Sequence, residues 1–570
     1  MPTKPWRRSR DWSNGGSVTT RNDPDAPGGP GEQVLLGQAA SPGLAIGPLA
    51  RLDPARPDPH AESAATGTED GRERLSAAVA QARRELELLS ADNAGDLGGE
   101  VLGFQIALLD DPELLEPAEP VLARGAGAQA AWEAAIGELI DLYARDEDEY
   151  FQARAEDLRD LRQRVLGALA SGDAAATEVP QRAVVIAETL SPSCFLEIDW
   201  TQVRGAALIH GSATSHVAML ARARGVPLVT GLGEGLRDLP ADVPAVLDAV
   251  DGRLIVDPSQ QTRVAYDERL SERAAADEAD RAYSARPATT ADGTPVRVYV
   301  NVDDPAVLAA SDPGICDGIG LTRTEFLFRD GPADEATQLA AYRRIMAWAD
   351  GRPVTIRTLD AGGDKPVPGV TPAGESNPFL GQRGLRLSLA RPDLFRTQLR
   401  ALLRAAADGP LKILLPMVTL PRELAAAREM LADARRDLAA EGIDVPDTPL
   451  GIMVETPSAA LRPFDFDADF YSIGTNDLVQ YVMAAARDVD AVAQLQDARD
   501  SAVLELIARV AEAARQRGVE CSVCGEAAGD AESIPCLLDA EVRALSVPPA
   551  AVGRTKRAVA GHRTRSGNGA

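Results

Sequence analysis

Gly205-Ala206-Ala207-Leu208-Ile209-His210-Gly211-Ser212-Ala213-Thr214-Ser215-His216-Val217-Ala218-Met219-Leu220 is the stretch on which the fold turns. Residues 205–209 are an apolar, strand-like run, a turn of small residues follows, and Thr214 and Ser215 are natural N-caps for a helix running through Ala218, Leu220 and Arg222. A strand, a glycine turn and a helix in this order point to an α/β fold. The unit also sets His216, one of four histidines in 570 residues, at the start of the helix. Unpaired backbone N–H groups and the positive end of the dipole would stabilise an anionic adduct on that ring by about 1 kcal/mol from the dipole alone. We read His216 as a nucleophile that carries a phosphoryl group. A surface histidine beside a cap fits the same local sequence, so residues elsewhere must decide.

Around this unit, strand-like runs at 183–187, 227–229 and 245–256, the last with an Asp251-Gly252 hairpin turn, continue the alternation of strands and helices. The fold is expected to begin at Gln33, with two short strands bent at Pro42-Gly43. Residues 32–58 and 172–258 are therefore expected to form one β/α domain, and residues 1–31, rich in Pro, Gly, Ser and charge, a disordered tail. Between its two halves, 71–171 reads as helical: Trp132, Ile136, Leu139, Ile140 and Tyr143 recur at the spacing of one helix face, as do Leu158, Leu161, Val165 and Leu169. Residues 259–290, charged and Ala-rich with almost no apolar stripe, read as a solvent-bridging linker helix.

From 291 to 562 eight strand-like runs alternate with amphipathic helices, at 296–301, 318–325, 354–360, 412–417, 450–455, 469–477, 520–526 and 543–547. Eight βα units in this length predict a (β/α)8 barrel of the TIM type, with its active site at the C-terminal ends of the strands. Arg323 and Arg357 end two of the runs, and each would grip a phosphate or carboxylate through a forked pair of bonds. Glu455 and Asp477 end two others and make a credible Mg²⁺ pair, since that ion takes one or two carboxylates together with substrate phosphate oxygens. Cys521 and Cys524 form a single C-x-x-C. Zinc and redox use stay open, although residues i and i+3 of a strand diverge; alternatively, one thiol at the mouth could protonate a carbanion-like intermediate.

The net charge of −27 argues against nucleic acid or an anionic membrane surface as the main partner. About half of that excess lies in residues 81–160, with 20 acidic residues against six arginines. Such a face is either a solvated bundle surface or a dock for a basic protein. Five cysteines without framework spacing suggest reduced thiols and a cytoplasmic location, and no apolar run is long enough to insert into a membrane. The basic N-terminus, Lys4, Arg7, Arg8 and Arg10, precedes no apolar segment and does not read as a secretory signal.

These residues resemble the enzyme I family of the phosphoenolpyruvate-dependent sugar phosphotransferase system. From about residue 33 to 560 the likeness runs through ASPGLAIG, LLDDPELLEP, DEYFQARAEDLRDL, TSHVAMLAR, GIGLTRTEFLF, RTLDAGGDK, NPFLGQRGLR, ILLPMV, GIMVETPSAA, SIGTNDLVQY and CGEAAGD, in that order. The resemblance implies that His216 takes the phosphoryl group from phosphoenolpyruvate and passes it to a histidine of the small phosphocarrier protein HPr. It implies that Arg323, Arg357, Arg487 and Asn476 bind phosphoenolpyruvate, that Lys365 and Arg383 complete the basic pocket, that Glu455 and Asp477 hold Mg²⁺, and that Cys524 protonates the enolate to pyruvate. It further implies a swivelling phosphohistidine domain, an acidic helical HPr-docking domain inserted in it, and a homodimer through the barrel. The linkers near 171–180 and 258–290 would then act as hinges. Neutral imidazole is the attacking form, so the nucleophile should work best once the ring has lost its second proton.

The chain departs from the family in places: only Gly211 precedes Ser212-Ala213, Ala486 precedes Arg487, residues 497–502 and 539–541 are altered loops, and Gln105 stands where a histidine is often seen. Three alternatives are a phosphoenolpyruvate synthase or pyruvate phosphate dikinase, for whose nucleotide domain the helical segment is too short, a regulator that binds without turnover, and a donor to another HPr-like acceptor.

Overall fold

The structure, a computed structural model, describes residues 32–52, 68–93, 97–145, 149–170, 179–213, 215–308, 311–329, 331–363, 365–372, 374–487 and 489–564. The expected tail at 1–31, residues 53–67, hinge residues 171–178 and the second cap candidate, Thr214, lie outside them. The chain forms two compact units, Met1–Arg273 and Ala274–Ala570.

The first unit is built on an eight-stranded sheet. Its strands are β1 Gln33–Leu36, β2 Gln38–Ser41, β3 Leu44–Arg51, β4 Val184–Ala187, β5 Gly205–Leu208, β6 Leu228–Thr230, β7 Pro244–Asp248 and β8 Arg253–Val256. They lie in the order β1-β8-β7-β3-β4-β5-β6-β2. β3 to β6 run parallel, and all of β4 and β5 is buried, which is why they read as unbroken apolar runs rather than alternating ones. β7 and β8 pair as the predicted hairpin, whose turn is held by the Asp248 carboxylate accepting the N–H groups of Val250 and Asp251 at 3.2 Å each.

Four long helices, Thr68–Asp92, Leu97–Leu109, Ala128–Ala144 and Glu149–Ala170, are inserted between β3 and β4. Trp132, Ile136 and Ile140 from one, and Leu158, Leu161 and Val165 from another, fill a common core at the spacing the sequence predicts. Val217, Ala218 and Leu220 of the helix His216–Arg224 belong to that same core. Apolar burial thus joins the inserted helices to the histidine helix.

The helix Gln260–Ser284 differs from the bare connector the sequence suggests. Tyr266 is 1% exposed and packs on Val246 and Ile255, its hydroxyl donates to Asp248 at 2.9 Å, and Arg269 reaches the same carboxylate at 3.0 Å. One aromatic side chain and a buried carboxylate anchor the helix where no apolar stripe exists.

The second unit contains a closed barrel of eight parallel strands. They are β9 Arg297–Val302, β10 Ile319–Thr322, β11 Val354–Arg357, β12 Leu411–Leu415, β13 Leu450–Val454, β14 Phe470–Ile473, β15 Glu520–Val523 and β16 Ala544–Val547. Leu321, Leu414, Met453, Phe470 and Cys524 pack together as one buried group, and a larger apolar cluster unites strand residues with the helices that follow them. β14 ends earlier than the run 469–477 predicts. After Gly474 the chain turns into the helix Thr475–Met483, which puts Asp477 in the first turn, where an acid complements the helix dipole. No helix among the described residues is long and apolar enough to cross a membrane.

Candidate active site

Ser215 is the N-cap of the histidine helix, accepting the Ala218 N–H at 3.2 Å, and Gly225, at φ 65°, ends it in the left-handed conformation that glycine tolerates. Arg222 reaches back to the carbonyls of Ala40 and Ala213 at 2.6 and 2.8 Å and ties the preceding turn to the sheet. His216, its side chain 13% exposed, donates from Nδ1 to Asp157 Oδ1 at 2.9 Å. Asp157 comes from the inserted helix Glu149–Ala170 and is fully buried; its other oxygen accepts from Arg154 Nη1 at 3.1 Å. Among the described residues Nε2 of His216 has no hydrogen-bond partner.

At the C-terminal end of the barrel a chain of charges links most of the predicted residues. Arg357, buried at the end of β11, donates to Glu325 at 2.8 Å, contacts Asp360 at 3.1 Å and touches the Met453 sulfur at 3.7 Å. Asp360 is fully buried and also meets Lys365 at 3.6 Å. Arg383, fully buried as well, lies between two carboxylates: Nε and Nη2 donate to Asp360 at 3.1 Å each, and Nη1 and Nη2 to the two oxygens of Asp477 at 2.9 and 3.1 Å. Arg487 stands 3.8 Å from Asp477 and, with Arg383, faces the ring of Phe379. Buried charges of this kind persist only when each is paired. Burial opposes ionisation of Asp360, but the Arg357, Arg383 and Lys365 cations outweigh it and hold the carboxyl far below its ordinary range.

Glu455 accepts the Met417 N–H at 2.6 Å. That N–H is aimed by a residue at φ 56°, a left-handed conformation unusual for methionine. Burial, together with the charges of Asp477 and Asp360, pushes the Glu455 carboxyl upward against the pull of Arg357 and Arg383. Among the described residues no cluster of three or more His, Cys, Asp or Glu is placed to hold a metal ion. Asp477 and Glu455 act on each other electrostatically, and one or two carboxylates are what magnesium takes from a protein, its remaining positions filled by phosphate oxygens and water.

Cys524, just beyond β15, is buried; its sulfur receives the Ser472 hydroxyl at 3.3 Å and faces the Ile473 carbonyl at 3.5 Å. Burial pushes this thiol upward, so it stays protonated at neutral pH. Arg323 donates to Asp303 at 2.5 Å and acts electrostatically on Cys524. Asn476 is clamped to the turn after β15, its amide donating to Glu526 at 3.0 Å while its oxygen takes the Glu526 N–H at 2.9 Å. Nε of both Arg323 and Arg357 is buried without a hydrogen-bond partner among the described residues.

The structure therefore links Arg357, Lys365, Arg383, Asp477 and Arg487 through Asp360 and Asp477, sets Glu455 under the influence of the same carboxylates, and places Arg323 and Asn476 on separate partners. His216 belongs to the other unit. The sequence reading passed over Asp157, Glu325 and Asp360 although each lies inside a quoted motif; a carboxylate two or three residues from a chosen arginine was the available signal for Glu325 and Asp360, and Asp157 had none of this kind.

Comparison with known proteins places these parts in one class. The chain matches three models of phosphoenolpyruvate-utilising enzymes: the N-terminal part over residues 36–154, the mobile domain over 179–252 and the phosphoenolpyruvate-binding domain over 277–564. It is 37% identical to a phosphoenolpyruvate-protein phosphotransferase of Bacillus sp. (strain S) over 89% of both chains, and 39% identical to one of Haloferax volcanii over 83% of both. A multiphosphoryl transfer protein of Rhodobacter capsulatus is 36% identical over 92% of this chain and 64% of its own. The chain belongs to the phosphoenolpyruvate-protein phosphotransferase family of enzymes.

Proposed function

We propose that the enzyme transfers the phosphoryl group of phosphoenolpyruvate to Nε2 of His216 and then to a histidine of the carrier HPr, releasing pyruvate as the first step of sugar uptake. The observation that carries this reading is the barrel mouth, where Arg323 and Arg357 keep buried Nε donors without partners among the described residues and Arg357 acts electrostatically on Glu455. Phosphoryl transfer asks a protein mainly for positioning and charge neutralisation, and that is what such a mouth supplies.

In the first half-reaction the lone pair of Nε2 attacks phosphorus, the bond from phosphorus to the bridging oxygen breaks, and its electron pair goes to the enolate. Arg323, Arg357, Arg487 and Lys365 hold the phosphate and carboxylate, and Asn476 orients the substrate from the turn after β15. Arg383, wholly engaged by Asp360 and Asp477, holds those carboxylates in place instead of gripping substrate. Magnesium bound by Glu455 and Asp477 would neutralise charge developing on the phosphate and enolate oxygens. The Cys524 thiol gives its proton to the enolate carbon, forming pyruvate, and regains one from water. The histidine module must travel between the barrel mouth and the carrier, which docks on the acidic inserted helices.

The five free thiols accord with a cytoplasmic enzyme. We take the barrel as its dimer contact, to be checked by light scattering across a dilution series. Incubation with labelled phosphoenolpyruvate, magnesium and HPr should yield pyruvate and phospho-HPr through an acid-labile phosphoprotein that His216→Ala abolishes. Binding of phosphoenolpyruvate with no pyruvate release would mark a regulator instead.

A further inference from the structure

We propose that Asp157 is the positioning residue of His216, fixing its proton on Nδ1 so that the Nε2 lone pair is the one presented to phosphorus. The proposal rests on the reading of His216 as the phosphoryl acceptor.

The geometry is built rather than incidental. Asp157 is fully buried and held from several sides: Oδ1 takes the His216 proton at 2.9 Å, Oδ2 takes Arg154 at 3.1 Å, and its backbone carbonyl takes Gln105 Nε2 at 3.2 Å. Gln105, 1% exposed, donates in addition to Asp160 at 3.0 Å, and Arg154 lies 4.3 Å over the ring of Phe104. Asp160 in turn accepts the N–H and hydroxyl of Ser193 at 3.0 and 2.7 Å, which fastens the inserted helix to the α/β part that carries His216. Asp157 already has a counter-ion in Arg154, so its burial does not require the histidine. What the contact adds is a constraint on the ring, because an ionised carboxylate only accepts and the nitrogen facing it must carry the proton.

When Nε2 bonds to phosphorus and the bond to the enolate oxygen breaks, the ring keeps its Nδ1 proton and becomes a cation beside this carboxylate. When the group leaves for the carrier, the electron pair of the N–P bond returns to Nε2, and no proton enters or leaves His216 in either direction. Glu156, itself under the influence of Arg159 and Asp157, also interacts with the ring electrostatically. The inserted helices thus complete the nucleophile as well as offering a docking face.

The test uses the full chain with ¹⁵N-labelled histidine. Nitrogen chemical shifts of wild type should show His216 as the Nδ1–H tautomer, and Asp157→Ala should shift it toward Nε2–H. Single-turnover labelling of His216 from phosphoenolpyruvate should slow by about 10- to 100-fold, as for other residues that orient a histidine through its second nitrogen. The concentration of phosphoenolpyruvate giving half the maximal rate should change little, and Asp157→Glu should recover part of the loss. Asp157→Asn, close to isosteric, removes the charge if the alanine variant does not fold. An unchanged tautomer and rate in a folded variant overturns the proposal. Absence of label at His216 in wild type overturns the reading beneath it instead.

Discussion

At the scale of single residues, the site is set by how closely backbones approach. A Cβ on Gly384 would stand 2.8 Å from the Met417 Cβ and 3.2 Å from Asp360 Oδ1, at a φ of 59° that L residues rarely adopt. Gly384→Ala should therefore cost about 1–3 kcal/mol, read by denaturant melts, and raise the half-saturating phosphoenolpyruvate concentration by disturbing Asp360. Gly525 is tighter still, since its Cβ would meet Thr475 Oγ1 at 1.9 Å and Asn476 Oδ1 at 2.7 Å. The thiols give a prediction with a sign. Burial pushes Cys194 and Cys521 up to about 12, against about 8.5 in an unfolded chain. Between these values the native state holds more protons than the unfolded one, so their contribution to stability, complete below about 8.5, is lost as pH rises through that window. At pH 8 both should resist alkylation in the native enzyme and react once guanidinium unfolds it, which mass spectrometry of labelled peptides will read. Rapid native alkylation of either would contradict the upward shift.

At the scale of elements, caps and apolar stripes decide which helices form and what they carry. Ser215→Ala removes the bond to Ala218 and should cost about 1 kcal/mol, with slower labelling of His216 as its helix start frays. Trp132 is fully buried in the core of the inserted helices, and Trp132→Ala should cost about 3–5 kcal/mol by calorimetry. All eight barrel strands were legible because each buries a short apolar run between amphipathic helices. Their ends were less so. Residues 469–477 read as one strand, yet Gly474 breaks it and Asp477 belongs to the next helix, a change that periodicity over four residues does not reveal. The helix Gln260–Ser284 shows the opposite failing, for its anchoring depends on Tyr266 and Arg269 finding Asp248 on a neighbouring strand.

At the scale of the whole molecule, the barrel mouth behaves as one charge network. Asp360 serves three cations, so Asp360→Asn should leave Arg357, Lys365 and Arg383 undercompensated. We expect a loss of about 3–5 kcal/mol in stability of the barrel unit, together with loss of phosphoenolpyruvate-dependent labelling at His216. Because the two units have separate cores, calorimetry of this variant should lower the barrel transition and leave that of the histidine unit in place. A uniform drop in both would show that the units unfold together.

Local order determined what the sequence alone could announce: the succession of strands and helices, the capped histidine, and the arginines and carboxylates waiting at strand ends. Such features arise from neighbours a few positions apart, whose periodicity and capping preferences act before any tertiary contact exists. Which charge answers which was decided only by the folded molecule. Asp157 meets His216 across 59 positions and Arg383 meets Asp477 across 94, and one carboxylate oxygen of Glu455 accepts a methionine N–H from another strand end. Those pairings follow from packing, because a buried charge must find its partner wherever the core happens to bring one within reach.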